Sequence, residues 1–344
     1  MNSRELLIKT LKGNAIPRYP SGPLAVHYCA RLAGYTLKEY TLNPKILSEC
    51  VIRYYEQFKP DAVWISADTW VTAEAMGAAV AFPDENQPLS GTGEPLVKNR
   101  HDIDRISAPD IENQGRFPVM LEALSRTVEQ IGQEVFIVGC FDQSPFSLAC
   151  QLMGMDNAMI ALKTDTELLN RVMSRAIEYC IAYGTAMARA GADMLSTGDS
   201  PAGLIGSRLY RQFVLPAEQQ VFLALKEKTD AFLSLHICGD ATDILDDMIL
   251  SGADVLEIDS LIKMRDACRI VPNQITLWGN LDPVKLLQNG TVKRVRQELN
   301  RILNVCRRFH RKKMVLSSGC TLSLDTKAEN LSALVSKHFD NVAT

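Results

Sequence analysis

The sequence predicts a (β/α)8 barrel that forms a single domain over residues 1–344, and three observations carry this prediction. Short apolar runs rich in β-branched residues alternate with helical patterns, which favours parallel βα units. There are eight such runs, the number of βα units that closes a barrel. No low-complexity linker divides the 344 residues, and an α/β barrel fits this length as one domain. The predicted strands cover residues 23–27, 62–67, 135–140, 193–197, 231–238, 253–259, 275–279 and 314–317.

Helical patterns separate these runs. Asparagine followed by proline at 43–44 marks one helix start, because asparagine suits the N-cap and proline the first turn. The repeated junction of glycine, alanine and aspartate at 191–193 and 252–254 is typical of a helix end that leads into a strand. The expected helices span residues 43–58, 164 or 166 to 190, 240 or 242 to 251, and 330–338.

The stretch 82–110 breaks the alternation. It is rich in Gly, Pro, Asn and Asp and contains the sequence PLSGTG at 88–93. These residue types favour turns. We therefore expect an insertion after the second strand that carries a hairpin over one barrel mouth.

Composition restricts the classes of partner. Hydrophobic residues make up 47% of the chain and charged residues 22%, as in ordinary globular proteins with a substantial core. A net charge of −3 gives no electrostatic argument for binding nucleic acid or an anionic membrane. No apolar run approaches the ~18 residues that suggest a membrane span. The basic stretch 307–313 is interpreted as a solvated helix end, where cations are favoured.

The cysteines indicate a reducing compartment. Nine are spread over the chain, an odd number, and residues 1–5 lead into an amphipathic pattern without the features of a signal peptide. We therefore expect a cytoplasmic protein with free thiols. Clustered cysteines in such a protein more often bind metal or take part in catalysis than form disulfides.

The main candidate site consists of two segments, LSLHICG at 233–239 and SSGC at 317–320. Each is a short apolar run that ends in a turn with glycine, so His236, Cys238 and Cys320 are placed at the ends of two strands. One imidazole and two thiolates form a ligand set that zinc favours, and three protein ligands leave a position open for chemistry. The spacing of His236 and Cys238 alone says little, since alternate residues of any strand share a face. The other interpretation is a buried histidine with two unrelated core cysteines.

Further polar residues are expected at the same mouth, because active sites of such barrels lie at the carboxyl ends of the strands. Glu257 and Asp259 end the sixth predicted strand and share a face. Either one is expected to be an exchangeable fourth zinc ligand or to orient His236 through its other ring nitrogen. The remaining candidates at the strand ends are His27, Arg31, Asp68, Asp199 and Asn280.

At these residues the chain resembles the uroporphyrinogen decarboxylase superfamily over nearly its whole length. The similar segments, in order, are CARLAGYTLKEY at 29–40, DSPAGL at 199–204, FVLP at 213–216, GNLDP at 279–283 and TKAENL at 326–331. The resemblance implies a (β/α)8 barrel, in agreement with the count of strands. It also implies that Arg31 contacts acidic substrate groups and that Asp68 matches the aspartate that holds the pyrrole nitrogens in decarboxylases.

The resemblance is closer to the corrinoid-dependent methyltransferases of that superfamily. Their His-x-Cys-Gly segment and Gly-Cys pair match His236, Cys238 and Cys320 with their glycines. Cys320 stands where decarboxylases carry a histidine, and Tyr35 stands where they carry a second arginine. By the same resemblance Asp259 falls at the acidic position of the fourth zinc site, with Glu257 as the substitute.

This branch implies zinc as cofactor and a corrinoid protein, carrying methylcobalamin, as partner. The methyl group would pass to a thiol such as coenzyme M, or arrive from a methyl ether or methylamine in the reverse direction. His27, Arg31 and Asp68 would contact the small molecule, with Asp199 and Asn280 in the substrate or corrinoid site. Two alternatives stay open: a metal-free carboxy-lyase of the decarboxylase type, and a non-catalytic docking partner of a corrinoid protein with a structural zinc.

Overall fold

A computed structural model describes residues 1–336 of the chain and shows an α/β architecture built on a seven-stranded parallel sheet. Every pair of neighbouring strands in this sheet is parallel, and the strand order is β1-β4-β5-β6-β7-β8-β9. The strands are β1 (Ala62–Ile65), β2 (Val80–Ala81), β3 (Leu89–Ser90), β4 (Phe136–Gln143), β5 (Met194–Gly198), β6 (Phe232–Ile237), β7 (Val255–Ile258), β8 (Thr276–Leu281) and β9 (Met314–Ser318).

Helices connect the strands and cover the outside of the sheet. They are α1 (Ser3–Leu11), α2 (His27–Ala33), α3 (Leu37–Leu42), α4 (Pro44–Phe58), α5 (Val71–Ala75), α6 (Arg100–Ile103), α7 (Phe117–Ile131), α8 (Pro145–Met153), α9 (Met155–Thr164), α10 (Thr166–Arg189), α11 (Gly206–Leu209), α12 (Leu215–Lys228), α13 (Leu245–Met248), α14 (Met264–Ile270), α15 (Val292–Arg308) and α16 (Ala328–Val335). Short 3-10 helices span Ser200–Leu204, Thr242–Ile244 and Ile249–Ser251, and π-helical turns span Tyr210–Val214 and Pro283–Gln288. None of the helices in residues 1–336 is long and apolar enough to cross a bilayer.

The first predicted strand, 23–27, is wrong. An extended segment at 20–22 lies there instead, and His27 already begins α2. Gly22 donates to the carbonyl of Leu316 in β9, and the carbonyl of Ser21 accepts from Asp61 next to β1, so this segment joins the two edges of the sheet. Prolines at 20 and 23 have no N–H to donate, which limits the segment to a single bridge.

The other seven predicted strands are confirmed, with ends shifted by up to three residues. The helix predicted over 43–58 is confirmed, and Asn43 caps it by accepting from the N–H groups of Lys45 and Ile46. Asp165, and neither predicted threonine, caps α10. The predicted helix 240–251 is a chain of short helical turns that ends at Gly252 in the left-handed conformation. The helix predicted over 330–338 is seen as α16, and its predicted last two residues lie outside the described ones.

Apolar side chains fill the space at the amino-terminal ends of the strands. Leu7 and Leu11 of α1 pack with inward side chains of the strands, including Trp64, Val138 and Trp278. The rings of Trp64 and Trp278 meet edge to face, with centroids 6.0 Å apart. This plug fills the amino-terminal end of the strands, so polar residues gather at the carboxyl end, as in (β/α)8 barrels.

The segment between β1 and β4 carries a hairpin, as predicted for 82–110. Its strands β2 and β3 pair antiparallel, Val80 opposite Ser90 and Ala81 opposite Leu89. The hairpin therefore begins two residues before the predicted stretch.

Candidate metal centre and active site

The structure brings His236, Cys238 and Cys320 together, as the sequence predicted. His236 lies near the end of β6, Cys238 directly follows that strand, and Cys320 lies two residues after β9. His236 Nε2 is 2.8 Å from Cys238 Sγ, and the two Sγ atoms are 3.4 Å apart. The three ligand atoms all lie within 4.8 Å of one another. We call these three residues the metal cluster.

Two glycines allow the loops to approach in this way. Gly239 has φ +88°, a left-handed conformation that suits glycine, immediately after Cys238. A Cβ at Gly319 would collide with the backbone nitrogen of Ser260 and lie 3.0 Å from the carbonyl carbon of Asp259. The Gly-Cys pair at 319–320 is therefore a packing requirement that positions the third thiol.

The backbone orients the imidazole. His236 Nδ1 lies 3.1 Å from the carbonyl oxygen of Glu257 and donates to it, which leaves Nε2 directed at the sulfur atoms. A ligating histidine is commonly held in this way through its second ring nitrogen. The residue that was expected to orient His236 thus does so through its main chain.

Protons are shared unevenly within the metal cluster. A hydrogen bond from Cys320 and another from Ser200 lower the pKa of Cys238, whereas the same contact with Cys238, together with burial, raises the pKa of Cys320 to about 12. Burial disfavours the charged imidazolium, but Cys320 and Glu257 outweigh it and raise the pKa of His236 to about 9. Cys238 is therefore the readiest thiolate, and a divalent cation would compete with the protons on its two neighbours.

This donor set fits zinc. One imidazole nitrogen and two thiolates are ligands that zinc favours, and three protein ligands leave a position open for chemistry. All three side chains are only partly buried, so the metal cluster is accessible from outside.

The two carboxylates predicted beside the metal cluster serve other purposes. Asp259 accepts from the N–H of Gly239 at 3.0 Å and from the N–H of Leu261 at 2.9 Å, so it fastens the loop that carries Cys238. Glu257 points into the sheet interior, where Oε1 accepts from Ser196 and Ser234 and burial raises its pKa. Neither carboxylate belongs to the group of ligand atoms within 4.8 Å. The role of either carboxylate as a fourth zinc ligand stays a prediction.

Asp68 is not exposed to a substrate. Its carboxylate forms a buried ion pair with Arg116, with one contact at 3.2 Å and a second, shorter one, and it also accepts from the N–H of Trp70. Arg116 binds Glu74 at 2.5 Å as well and stacks on the ring of Phe82. Arg116 was missed because no local pattern marks it; a buried aspartate that needs a cation was the one available signal. Asp68 is therefore engaged by Arg116 in this structure, and its contact with a substrate stays a prediction.

Arg31 and His27 lie apart from the metal cluster. The Arg31 side chain is 62% exposed and 4.0 Å from Asp325. It lines a separate cavity of about 270 Å³ with Tyr35 and Leu324. His27 Nε2 donates to the carbonyl of Ala67 at 2.7 Å, and burial lowers the pKa of this histidine, so it is a neutral link between α2 and the end of β1.

Asp199 and Asn280 form hydrogen bonds with loops at the carboxyl ends of the strands. Asp199 accepts from the N–H and the hydroxyl of Ser147, both at 2.8 Å, and its own N–H donates to the carbonyl of His236. The Asn280 amide donates to the carbonyls of Asp259 and Ile262. Both residues hold loops of the site in place.

A cavity of about 470 Å³ adjoins the metal cluster and was not foreseen. Ser200 lines this cavity and hydrogen-bonds Cys238, so one residue contacts both. Ser90 and Pro95 from the region of the hairpin form one wall, and Gln143 and Gln151 form another. A volume of this size suits a small organic molecule.

Comparisons with known proteins agree with this geometry. A model of the uroporphyrinogen decarboxylase (URO-D) family matches residues 2–338. Methylcobamide:CoM methyltransferase MtbA of Methanosarcina acetivorans is 32% identical over 277 residues, which cover 80% of this chain and 78% of that protein. A uroporphyrinogen decarboxylase of Chlorobium phaeovibrioides is 28% identical over 321 residues, 88% of either chain. The solved structure of a methyltransferase from Methanosarcina mazei superposes with a TM-score of 0.88 at 26% identity and 98% coverage of both chains.

Proposed function

Because the chain belongs to the uroporphyrinogen decarboxylase family and is a methyltransferase, we propose that it moves a methyl group between a corrinoid protein and a small molecule bound beside a zinc ion. The observation that carries this proposal is the metal cluster, in which three ligand atoms converge within 4.8 Å beside a cavity. Three protein ligands suit a catalytic zinc better than a structural one, which is usually closed by four. The metal cluster thus favours catalysis over the docking-partner alternative.

His236, Cys238 and Cys320 would hold the zinc. Bound there, zinc supplies Lewis acidity that lowers the pKa of a substrate thiol or polarises a methyl ether or amine. Glu257 keeps Nε2 of His236 directed at the site through its carbonyl, and Asp259 fixes the loop of Cys238. Ser200 donates to Cys238 and stabilises its thiolate form.

Atoms and electrons balance for methyl transfer in either direction. With a thiol as acceptor, the sulfur lone pair forms the S–CH3 bond, and the Co–CH3 bond breaks with its electron pair left on cobalt. Methyl-cobalt(III) becomes cobalt(I), and the thiol proton passes to solvent. With a methyl ether as donor, the cobalt(I) electron pair forms the Co–CH3 bond while the O–CH3 bond breaks, and the released oxygen takes a proton from solvent.

The proposal also includes a protein partner and a cellular location. The corrinoid would be carried by a separate protein that docks over the carboxyl ends of the strands, where the metal cluster lies. We further propose that residues 1–344 act as one (β/α)8 barrel domain in the cytoplasm. In this barrel the segment 20–22 takes the eighth strand position, and the region 82–110 is an insertion over the mouth.

Metal analysis of one substitution tests the proposal. Purified protein should contain about one zinc per chain, and Cys320→Ser should lose zinc and methyl transfer from methylcobalamin while its circular dichroism is unchanged. Cys268→Ser, which removes a thiol from α14, is the matched control and should retain both. Full transfer activity in zinc-free Cys320→Ser protein would refute the proposal.

Decarboxylation of uroporphyrinogen is the competing activity. The pairing of Asp68 with Arg116 counts against it, because that carboxylate is engaged and buried. Turnover of uroporphyrinogen after removal of metal by a chelator would instead support it.

A further inference from the structure

The cavity beside the metal cluster has a neutral lining. Its wall contains Thr69, Trp70, Ser90, Gln143, Ser147 and Gln151, with no lysine or arginine among the described residues that line it. Cys150 also lines it, and burial raises the pKa of this thiol, so it too is uncharged. One carboxylate lines the wall, that of Glu94, and it is 70% exposed and paired with Lys98 at 2.7 Å. Among the described residues that line the cavity, none would offer a positive charge to an anion.

Arg116 and Arg31 do not line this cavity. Arg116 is 4% exposed and committed to Asp68 and Glu74. Arg31 lines a different cavity, with Asp325 beside it. Behind the wall, Ser147 already gives its hydroxyl and N–H to Asp199, so these donors are also engaged.

The cavity wall offers a hydrogen-bond acceptor and an aromatic ring to a ligand. Gln151 uses its amide nitrogen to bind the carbonyl of Thr69 at 2.6 Å, whereas its Oε1 is buried and has no partner. A buried acceptor without a donor favours a ligand that brings an O–H or N–H group. The indole of Trp70 adds an apolar face of the kind that packs against an aromatic or aliphatic group.

We propose that the small molecule used by this enzyme is uncharged and carries a hydrogen-bond donor, such as a neutral hydroxy-thiol or a methoxyphenol. This inference rests on the proposed function, since it assigns the owner of the methyl group at the same site. An uncharged substrate would distinguish this chain from relatives that are named for coenzyme M, which is a sulfonate. Removing a sulfonate or carboxylate from water without a counter-charge is strongly unfavourable, which gives the neutral cavity its selectivity.

Two pairs of compounds, in which a neutral hydroxyl group is replaced by an anionic group, test the inference. Mercaptoethanol and mercaptoethanesulfonate share the thiol and the chain length, and methoxyphenol and methoxybenzoate share the ring and the methyl ether. Methyl exchange with the cobalamin cofactor, measured on zinc-loaded protein, should favour the neutral member of the reactive pair by roughly tenfold or more in kcat/KM. Calorimetric binding of all four compounds to the same protein should show the same preference in Kd.

A substitution that adds a cation gives the converse result. Gln143→Lys places an ammonium group in the wall and should shift the preference toward the anionic member, by lowering its Kd more than that of the neutral one. Gln133→Lys introduces the same charge on the exposed surface and is the matched control, with no expected shift.

The outcomes separate the two proposals. A tighter Kd or faster exchange for the anionic member in the natural sequence would overturn the inference and leave methyl transfer intact. Binding of the neutral members without any methyl exchange would support the inference and contradict the proposed function. Equal affinity for both members of each pair, unaffected by Gln143→Lys, would also overturn the inference.

Discussion

Removing one partner of the ion pair between Asp68 and Arg116 should lower the free energy of unfolding by several kilocalories per mole, whereas the pair should take no part in the chemistry. Arg116 is 4% exposed and the side chain of Asp68 is fully buried, so removing either partner leaves an unpaired charge in a medium of low polarity. Arg116→Met keeps the packing on Phe82 but leaves two carboxylates without a cation, and should cost about 3–5 kcal/mol. Asp68→Asn should cost less, roughly 2 kcal/mol, because Arg116 retains Glu74 and an amide oxygen can still accept from Trp70.

A double-mutant cycle measures the pair itself. The variant with both substitutions removes both charges, so its loss should fall short of the sum of the single losses by about 2 kcal/mol. Urea unfolding followed by circular dichroism gives these free energies of unfolding. The coupling should persist in high salt, since buried charges are poorly screened. Strict additivity of the two substitutions would refute the interpretation, and so would loss of methyl transfer in a folded double variant, because Asp68 would then be needed by the substrate.

Three further predictions concern the metal cluster. Gly319→Ala should lower the free energy of unfolding by roughly 3 kcal/mol and displace Cys320, because the new methyl group collides with the loop after β7. Gly239→Ala should lower it by only about 1–2 kcal/mol, because alanine is strained in the left-handed conformation of Gly239. Thermal denaturation and zinc content check both. Asp259→Asn should keep zinc affinity within about tenfold and slow methyl transfer, and a loss of bound zinc would show Asp259 to be a ligand. Zinc affinity should rise with pH, by up to roughly a hundredfold per unit below pH 9, because His236, with a pKa of about 9, and Cys320, with a pKa of about 12, must each give up a proton to bind. Chelator competition that shows no pH dependence would contradict this.

The sequence was informative wherever a signal is local. Seven strands and the metal cluster follow from short apolar runs and from residues placed at their ends, and the parallel order then brings those ends together. The first predicted strand was wrong because proline removes the N–H groups on which a ladder depends, so the extended segment at 20–22 forms only a single bridge.

The contacts of the site that the sequence did not reveal have a different cause. Arg116 pairs with a residue 48 positions away, and no local pattern announces such a partner. Arg31 and Asp68 were expected to face the substrate because their positions along the chain resemble those of a decarboxylase. Side-chain direction depends on tertiary neighbours, and here these neighbours turn Asp68 inward and Arg31 toward solvent.

The metal cluster and the cavity come from different parts of the chain, and this division has a consequence for specificity. The metal ligands lie at the ends of β6 and β9. His236 is oriented by the carbonyl of Glu257 in β7, and the loop of Cys238 is held by the carboxylate of Asp259 directly after that strand. The cavity wall comes mainly from the region between β1 and β4 and from α8, with Ser200 as the shared element. Substitutions in the wall can therefore change which molecule is bound while the metal cluster stays intact. A charge introduced at Gln143 should accordingly alter the choice of substrate and leave the zinc content of the protein unchanged, whereas a substitution at Cys320 should abolish transfer with every substrate alike.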